Sequence, residues 1–231
     1  MSDNITTYSL PHLLAGQYVL TALRSRGTDG VQYTATQKDT QREVLIRSMV
    51  ATVADDGAAQ HAFIEDARAC SRVQLPYVSA VIELLPADGA WHLVFEGNGS
   101  DSLDFVAAAG QKINEQSMMN LLQKICSLCL YLDAEGINSG AFRLGGVYRY
   151  GSDFMLDNPA CSGKRQALTS NKYVIEATRK LLPLLAGQES ALRQLMQRVA
   201  DMPDSCVLVA PEMLSELARL PLGDDAEELI L

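Results

Sequence analysis

The stretch YVLTALRSRGTDGVQYTATQKDTQREVLIR, residues 18–47, decides the fold of this 231-residue chain. It contains three short segments that are rich in β-branched, aromatic and aliphatic residues, namely Tyr18–Leu20, Val31–Ala35 and Glu43–Ile46. Glycine, aspartate and threonine separate these segments, and short apolar runs bounded by turn-forming residues are typical of strands. The stretch therefore predicts that the chain begins with a strand-rich region.

A helix and two further strands follow this stretch. Residues 58–72 predict the helix, because Phe63, Ala67 and Cys70 repeat at the spacing of one helix face and 55–57, Asp-Asp-Gly, can cap its start. The two strands are predicted at 78–84 and 91–95, since the Asp-Gly pair between them is a hairpin turn signal.

The second half of the chain is predicted to be mainly helical. Glycine and polar residues at 96–99 predict a hinge, and Asn114 can cap a long helix whose apolar residues recur every three or four positions. One hairpin is predicted at Val147–Leu156. The helices are predicted at 102–109, 115–133, 172–185, 189–200 and 210–219.

Composition limits the classes of function. The chain is 48% hydrophobic, which suffices for a sizeable core, and its formal net charge of −9 disfavours nucleic acid and bare membrane as partners. No stretch approaches the roughly 20 apolar residues of a membrane span. The five cysteines are odd in number and scattered, which favours reduced thiols and a cytoplasmic location. The Cys126–Cys129 pair lies in an apolar helical stripe and is interpreted as two buried thiols rather than a zinc or redox site.

The order of strands, hinge and helices resembles the protein-kinase family, and a glycine pattern supports this. Kinases cover the ATP phosphates with a G-x-G-x-x-G loop that leads into a strand ending Y-x-A. Residues 25–35 match this motif through Gly27 and Gly30, with Ser25 in place of the first glycine. Taken alone, the same pattern also describes an ordinary hairpin turn.

The kinase motif V-A-I-K follows as Val44–Arg47, so arginine stands where the family's lysine grips the α- and β-phosphates. Glu65 lies on the predicted helix, where kinases place the carboxylate partner of that lysine. The resemblance therefore implies a structural ion pair between Arg47 and Glu65, which the planar guanidinium would suit. Alternatively, Arg47 is simply a surface-exposed residue at the end of a strand.

Further fragments keep the family's order. The run Trp91–Glu96 resembles the strand that leads into the kinase hinge, with Phe95 at the gatekeeper position and Asn98 in the hinge. Residues 102–104, Ser-Leu-Asp, resemble the start of the first C-lobe helix. Residues 130–137 resemble the segment that precedes the catalytic loop.

The residues that transfer phosphate in kinases are missing at the matching positions. Kinases need H-R-D-x-K-x-x-N, but residues 139–146 read SGAFRLGG, so Ala141 replaces the catalytic aspartate and Gly146 the metal-binding asparagine. Only Arg143, at the lysine position, keeps a positive charge. Neither an alanine nor a glycine side chain can serve as a base or a metal ligand.

The metal-binding D-F-G motif is matched by Asp157-Asn158-Pro159, while a register through Asp153 is disfavoured. No metal site is expected beyond Asp157 itself, since one carboxylate supports Mg²⁺ weakly unless a nucleotide supplies further oxygens. No cofactor is expected, and ATP with Mg²⁺ is the alternative that Asp157 leaves open. Pro159 also lacks the backbone freedom of the family's glycine.

These observations predict an α+β, bilobal protein-kinase-like fold with a five-stranded N-lobe holding one helix and a reduced helical C-lobe. The predicted boundaries are a leader at 1–16, the N-lobe at 17–96, the hinge and C-lobe at 97–222 and an acidic tail at 223–231. A degenerate nucleotide cleft is predicted from ten residues: Ser25, Gly27, Gly30, Arg47, Glu65, Phe95, Glu96, Asn98, Arg143 and Asp157.

The resemblance, to short bacterial kinase-like domains in particular, implies a pseudokinase rather than an enzyme. Its expected role is a protein-binding scaffold or regulatory module, in the cytoplasm or as the cytosolic part of a longer membrane protein. Two alternatives stay open: a nucleotide-binding sensor that changes its conformation with ATP, and an atypical nucleotide-using transferase.

Overall fold

The computed structural model describes residues 8–27, 30–49, 56–97, 102–150, 153–161, 168–187 and 190–220. The chain forms two compact units. The first comprises residues 1–100 and 155–167, and the second comprises residues 101–154 and 168–231. The first unit is rich in strands and the second in helices, so the predicted α+β class with two lobes is confirmed.

A six-stranded antiparallel sheet forms the first unit. Its strands are β1 (His12–Leu14), β2 (Tyr18–Gly27), β3 (Gly30–Gln37), β4 (Glu43–Ser48), β5 (Val81–Ala87) and β6 (Ala90–Glu96). They lie in the order β1-β2-β3-β4-β6-β5. Alternate residues point to one face, where nine side chains form a core: Leu14, Tyr18, Leu20, Val31, Tyr33, Ala35, Val44, Ile46 and Val94.

The five predicted strands are present, and β1 adds a sixth within the segment that was expected to be a loose leader. Leu14 is fully buried, and Ala15 and Gly16 adopt positive φ, which turns the chain back so that β1 pairs with β2. The short apolar run of β1 has no alternating pattern, which is why it escaped prediction. The leader assignment is therefore wrong for His12–Leu14.

The helix of the first unit, α1 (Gly57–Arg72), begins where predicted. The carboxylate of Asp56 accepts hydrogen bonds from the backbone N–H groups of Ala58 and Ala59, which satisfies donors that the helix itself leaves unpaired. Phe63, Ala67 and Cys70 are buried on one face of α1, as their spacing predicted.

The second unit contains α2 (Leu103–Ala108), α3 (Glu115–Ala134), α4 (Ser170–Leu181), α5 (Ala191–Ala200) and α6 (Val209–Leu217). Its central helix α3 is capped by Asn114, whose side chain accepts from the Ser117 N–H. The predicted helix ending at residue 185 stops at Leu181 and continues as a 3₁₀ turn, Leu182–Leu184, because Pro183 has no N–H to extend an α-helix.

Four short strands complete the structure: β7 (Asn138–Ser139), β8 (Val147–Tyr150), β9 (Asp153–Leu156) and β10 (Ala160–Cys161). The strands β8 and β9 form the hairpin that was predicted for Val147–Leu156. Among the residues that the structure describes, no helix combines the length and the apolar character that crossing a membrane requires.

Candidate functional site

The segment that matches the kinase glycine loop is the hairpin of β2 and β3. Gly27 and Gly30 face each other across its end, and the Ser25 hydroxyl donates to the Gln32 side chain over 3.0 Å. Gly30 has a φ of +136°, and a Cβ built on it would lie 2.5 Å from the carbonyl oxygen of Ser48. Close packing against β4 therefore accounts for this glycine without any phosphate.

Arg47, at the position of the family's phosphate-gripping lysine, lies on β4 and is half-buried. Its guanidinium carbon is 5.2 Å from the centroid of the buried Phe95 ring, within the range of a cation–π contact. Its Nη2 donates to the backbone carbonyl of Asn158 over 3.4 Å. Both partners belong to the same unit as Arg47.

Asn158, the middle residue of the segment that matches D-F-G, is 2% exposed and joins three parts of the first unit. Its Nδ2 donates to the carbonyl of Cys70 over 2.9 Å and to that of Ser79 over 3.4 Å. Its Oδ1 accepts from the Ala160 N–H over 3.1 Å. Sequence reasoning singled out Asp157 and missed Asn158, because a buried amide that bonds backbone groups leaves no motif.

Leu156, two residues before Asn158, also holds this segment in place through its backbone. Leu156 donates its N–H to the Tyr77 carbonyl over 2.8 Å and accepts from the Ser79 N–H over 2.9 Å. Asp157 itself is partly exposed and follows directly. Within the described residues, no cluster of three histidine, cysteine or acidic side chains could hold a metal ion.

Cys70 completes the surroundings of Arg47. Burial raises the pKa of the Cys70 thiol to about 11, and the nearby charge of Arg47 opposes this rise while that of Asp66 adds to it. The thiol stays protonated at neutral pH and donates to the Ala160 carbonyl over 3.2 Å. Cys70 is therefore a packing residue rather than a nucleophile.

The predicted ion pair between Arg47 and Glu65 is not the arrangement that the structure shows. Glu65 instead pairs with Arg68, three residues further along α1, where neighbouring side chains on one helix surface meet. Asp66, not Glu65, is the acidic residue of α1 whose charge acts on the Cys70 thiol beside Arg47. Glu65 is therefore engaged by a neighbour on its own helix.

At the predicted hinge, Glu96 pairs with Arg42 at the surface, and its backbone N–H donates to the Ala80 carbonyl over 2.9 Å. The N–H of Gly97 donates to the Glu43 carbonyl over 3.2 Å. The predicted site residue Asn98 lies outside the described residues.

The loop that matches the kinase catalytic loop lies in the second unit. Ala141 and Arg143 are exposed, and Phe142 between them is buried with its ring edge against Tyr173. The Phe142 carbonyl accepts from the Lys180 ammonium over 2.6 Å. Arg143 precedes a short 3₁₀ turn, Leu144–Gly146. A methyl group and a guanidinium offer no base for a substrate hydroxyl.

Asp153 and the Cys126–Cys129 pair, which the sequence analysis also considered as site residues, have structural roles. Asp153 forms an ion pair with Lys124 at 2.6 Å, so this carboxylate is engaged within the second unit. Burial raises the pKa of Cys126 to about 12 and that of Cys129 well above its ordinary value. Both thiols are thus protonated, and both lie on the buried face of α3.

The strand-rich unit with one helix and the helical unit together define a protein-kinase-like fold, and comparison with solved structures supports this class. A double-mutant form of the Mycobacterium tuberculosis PknI kinase domain matches with a TM-score of 0.67 at 9% identity, over 92% of this chain and 98% of that chain. A second structure of the M. tuberculosis PknI kinase domain matches with a TM-score of 0.65 at 10% identity, over 91% of this chain and 98% of that chain. Neither a family model nor a curated protein matches the sequence.

Proposed function

We propose that this chain is a pseudokinase: a kinase-like module that transfers no phosphate and acts by binding a protein partner. The fold supports the kinase-like character of the module, and the chemistry of the residues at the catalytic positions supports the absence of phosphate transfer. We place the module in the cytoplasm, alone or as the cytosolic part of a longer membrane protein, because its buried thiols at Cys70, Cys126 and Cys129 are free.

The observation that carries the proposal is the set of contacts of Arg47. A kinase keeps a lysine here for the nucleotide phosphates. In this chain the guanidinium lies over the Phe95 ring and donates to the Asn158 carbonyl. Arg47 therefore already interacts with residues of its own unit. A nucleotide would have to compete with these contacts for the same cation.

The residues at the other catalytic positions also support the absence of phosphate transfer. The side chains of Ala141 and Gly146 contain no oxygen, so neither a side-chain base for a substrate hydroxyl nor a second side-chain metal ligand is available there. Gly30 packs against Ser48, and Asn158 bonds backbone groups of Cys70 and Ser79. These contacts explain Gly30 and Asn158 without any nucleotide, although both residues occupy positions that lie near ATP in kinases.

The experiment is a phosphotransfer assay with purified protein, radiolabelled ATP, Mg²⁺ or Mn²⁺ and a generic acceptor such as myelin basic protein. We expect no label above that of the Asp157→Ala variant, which removes the last candidate metal ligand. Incorporation by the wild type that Asp157→Ala abolishes would overturn the proposal. An Arg47→Lys variant should stay inactive, since it restores the grip residue but not the catalytic carboxylate.

Nucleotide sensing is the second candidate, and the partly exposed Asp157 favours it. A sensor would bind ATP without transferring phosphate, so only a binding measurement separates it from a module with no nucleotide. An atypical transferase would need nucleotide binding as well and would label an acceptor with the nucleotide rather than with phosphate alone.

A further inference from the structure

Residues 8–14, here called the strap, join the two ends of the sheet in the first unit. The strand β1 lies at one end of the strand order and β5 lies at the other. His12 of β1 nevertheless contacts Asp88, in the turn after β5, with 2.8 Å between Nε2 and Oδ2. The hydroxyl of Tyr18, at the start of β2, donates to the Glu83 carboxylate of β5. The sheet therefore curls so far that side chains link its two ends.

The strap is anchored by one side chain at each of its ends. The Tyr8 ring stacks on the His12 ring, with 4.2 Å between their centroids. It also lies 5.8 Å from the Tyr33 ring and 6.2 Å from the buried His92 ring, and the Tyr8 N–H donates to the Tyr33 hydroxyl over 3.3 Å. Leu14, at the other end, is fully buried in the core of the sheet. The strap thus covers part of the inner face of the sheet.

The contacts between these two anchors lie close to solvent. The strand β1 has three residues, and the side chains of His12 and Asp88 are 31% and 42% exposed. Ala15 and Gly16 connect the strap to β2 with φ angles of 50° and 72°, and a positive φ is strained for alanine. Short segments held near solvent open locally at a lower free-energy cost than the core of a fold. Detachment of the strap is therefore expected to precede unfolding of the sheet.

The strap fills a slot whose chemistry is defined by the contacts that the strap makes. Tyr33 and His92 present aromatic rings to Tyr8. Asp88 presents a carboxylate to His12. The edge of β2 pairs with the backbone of β1. An extended segment of another protein can use the same groups, because a sheet edge accepts a strand whose side chains fit the neighbouring pockets.

We propose that the strap is the intramolecular occupant of a docking site for an extended protein segment, which displaces the strap and adds a strand to β2. The partner segment carries an aromatic residue, a hydrogen-bond donor four positions later and an aliphatic residue six positions later, because Tyr8, His12 and Leu14 fill the slot with this spacing. The Asp88 carboxylate and the net charge of −9 favour a cationic donor. This inference rests on the proposed protein-binding function and names the chemistry of the partner.

Opening of the strap is measured by hydrogen exchange with mass spectrometry on the whole chain. We expect the amides of residues 12–14 to exchange about a hundredfold faster than those of residues 31–35, which lie in the interior strand β3. His12→Ala should accelerate exchange in the strap alone, since it removes the contact with Asp88. The matched control is His61→Ala, at an exposed histidine of α1. Equal exchange of 12–14 and 31–35 in the wild type would overturn the proposal, because the strap would then leave only on global unfolding.

Docking is measured by fluorescence anisotropy of the whole chain with a labelled synthetic peptide of residues 8–14. We expect weak binding to the wild type and about tenfold tighter binding to His12→Ala, because the apparent affinity rises with the fraction of molecules whose slot is open. Tyr8→Ala should act in the same way and provides a second variant if His12→Ala fails to fold. A peptide with serine in place of Tyr8 and Leu14 should bind none of these proteins, and His61→Ala should behave like the wild type.

Absence of peptide binding by a folded His12→Ala or Tyr8→Ala protein would overturn the proposal, and so would equal affinities for the peptide and its serine control. A dimer that the free peptide dissociates, seen by sedimentation velocity, would assign the slot to the strap of a second copy instead. Hydrogen exchange of the wild type tests the opening even if both variants fail to fold. None of these outcomes depends on the phosphotransfer assay, so the two proposals can fail separately.

Discussion

The guanidinium carbon of Arg47 lies 5.2 Å from the centroid of the Phe95 ring, so the residue at the phosphate-gripping position contacts the residue at the gatekeeper position. These two residues lie on β4 and β6, which are neighbours in the sheet. A cation over an aromatic ring stabilises the folded protein only while both partners stay in place. The contact therefore predicts a structural role for a residue that kinases reserve for ligand binding.

Arg47→Ala should lower the free energy of unfolding by about 1–2 kcal/mol, through loss of the ring contact and of the hydrogen bond to the Asn158 carbonyl. Chemical denaturation measures this change. Arg42→Ala is the control, because its ion pair with Glu96 is exposed and such pairs contribute about 0–1 kcal/mol. Equal effects of the two substitutions would contradict the structural role of Arg47.

Asn158→Ala should cost more, about 2–4 kcal/mol in total, because it leaves the carbonyls of Cys70 and Ser79 and the Ala160 N–H without their buried partner. The melting temperature should fall accordingly. Asn138→Ala, at an exposed asparagine, should change it little. A fully stable Asn158→Ala protein would show that the segment 156–160 is held by other contacts.

Gly30→Ala should destabilise the protein more than Gly89→Ala does. Both glycines have positive φ, so both substitutions introduce backbone strain of about 1 kcal/mol or more. Only at Gly30 does the new methyl group also meet a backbone atom, Ser48 O at 2.5 Å, whereas nothing lies within 4 Å at Gly89. The difference in unfolding free energy then reports the close approach of Gly30 to β4 together with its more demanding φ of +136°, against +75° at Gly89, and identical losses would contradict it.

His92 should make stability depend on pH. Its Nε2 contacts the Ala87 carbonyl at 3.0 Å, which can only accept, so Nε2 carries the proton and Nδ1 accepts from the Ser48 hydroxyl at 2.8 Å. Burial lowers the pKa of His92; the Ala87 hydrogen bond and Asp88 oppose this, and His12 adds to it.

A histidine pKa that is lower in the folded than in the unfolded state means that the unfolded chain binds the proton more readily. The stabilising contribution is then fully present above the unfolded value of about 6.5 and is lost as pH falls below it. Denaturation at pH 5 to 8 should show this loss in the wild type. It should be smaller in His92→Gln, and the exposed His61→Gln control should behave like the wild type.

Most strands and the helix of the first unit can be predicted from the sequence, because the patterns that indicate them are local. Alternation in 31–35, the Asp-Gly turn at 88–89 and the spacing of Phe63, Ala67 and Cys70 each depend on neighbouring residues. The strand β1 has only three residues and gains its place by pairing with β2, so no local pattern marks it.

The contacts of the candidate site were harder to predict, because they join residues far apart in sequence. Which carboxylate of α1 acts on the Cys70 thiol depends on the rotation of the helix, and a shift of one residue separates Glu65 from Asp66. The role of Asn158 depends on carbonyls of Cys70 and Ser79, about 80 to 90 residues away in sequence, which no spacing rule reveals.

The most direct test of the central claim is a thermal-shift titration of the whole chain with ATP and ADP, each with and without Mg²⁺. We expect no rise in melting temperature at millimolar nucleotide, because Arg47 is engaged by Phe95 and Asn158 and no second metal ligand stands at Gly146. A rise that needs Mg²⁺ and disappears in Asp157→Ala would contradict this account and would show that the protein binds nucleotide as a sensor or an enzyme.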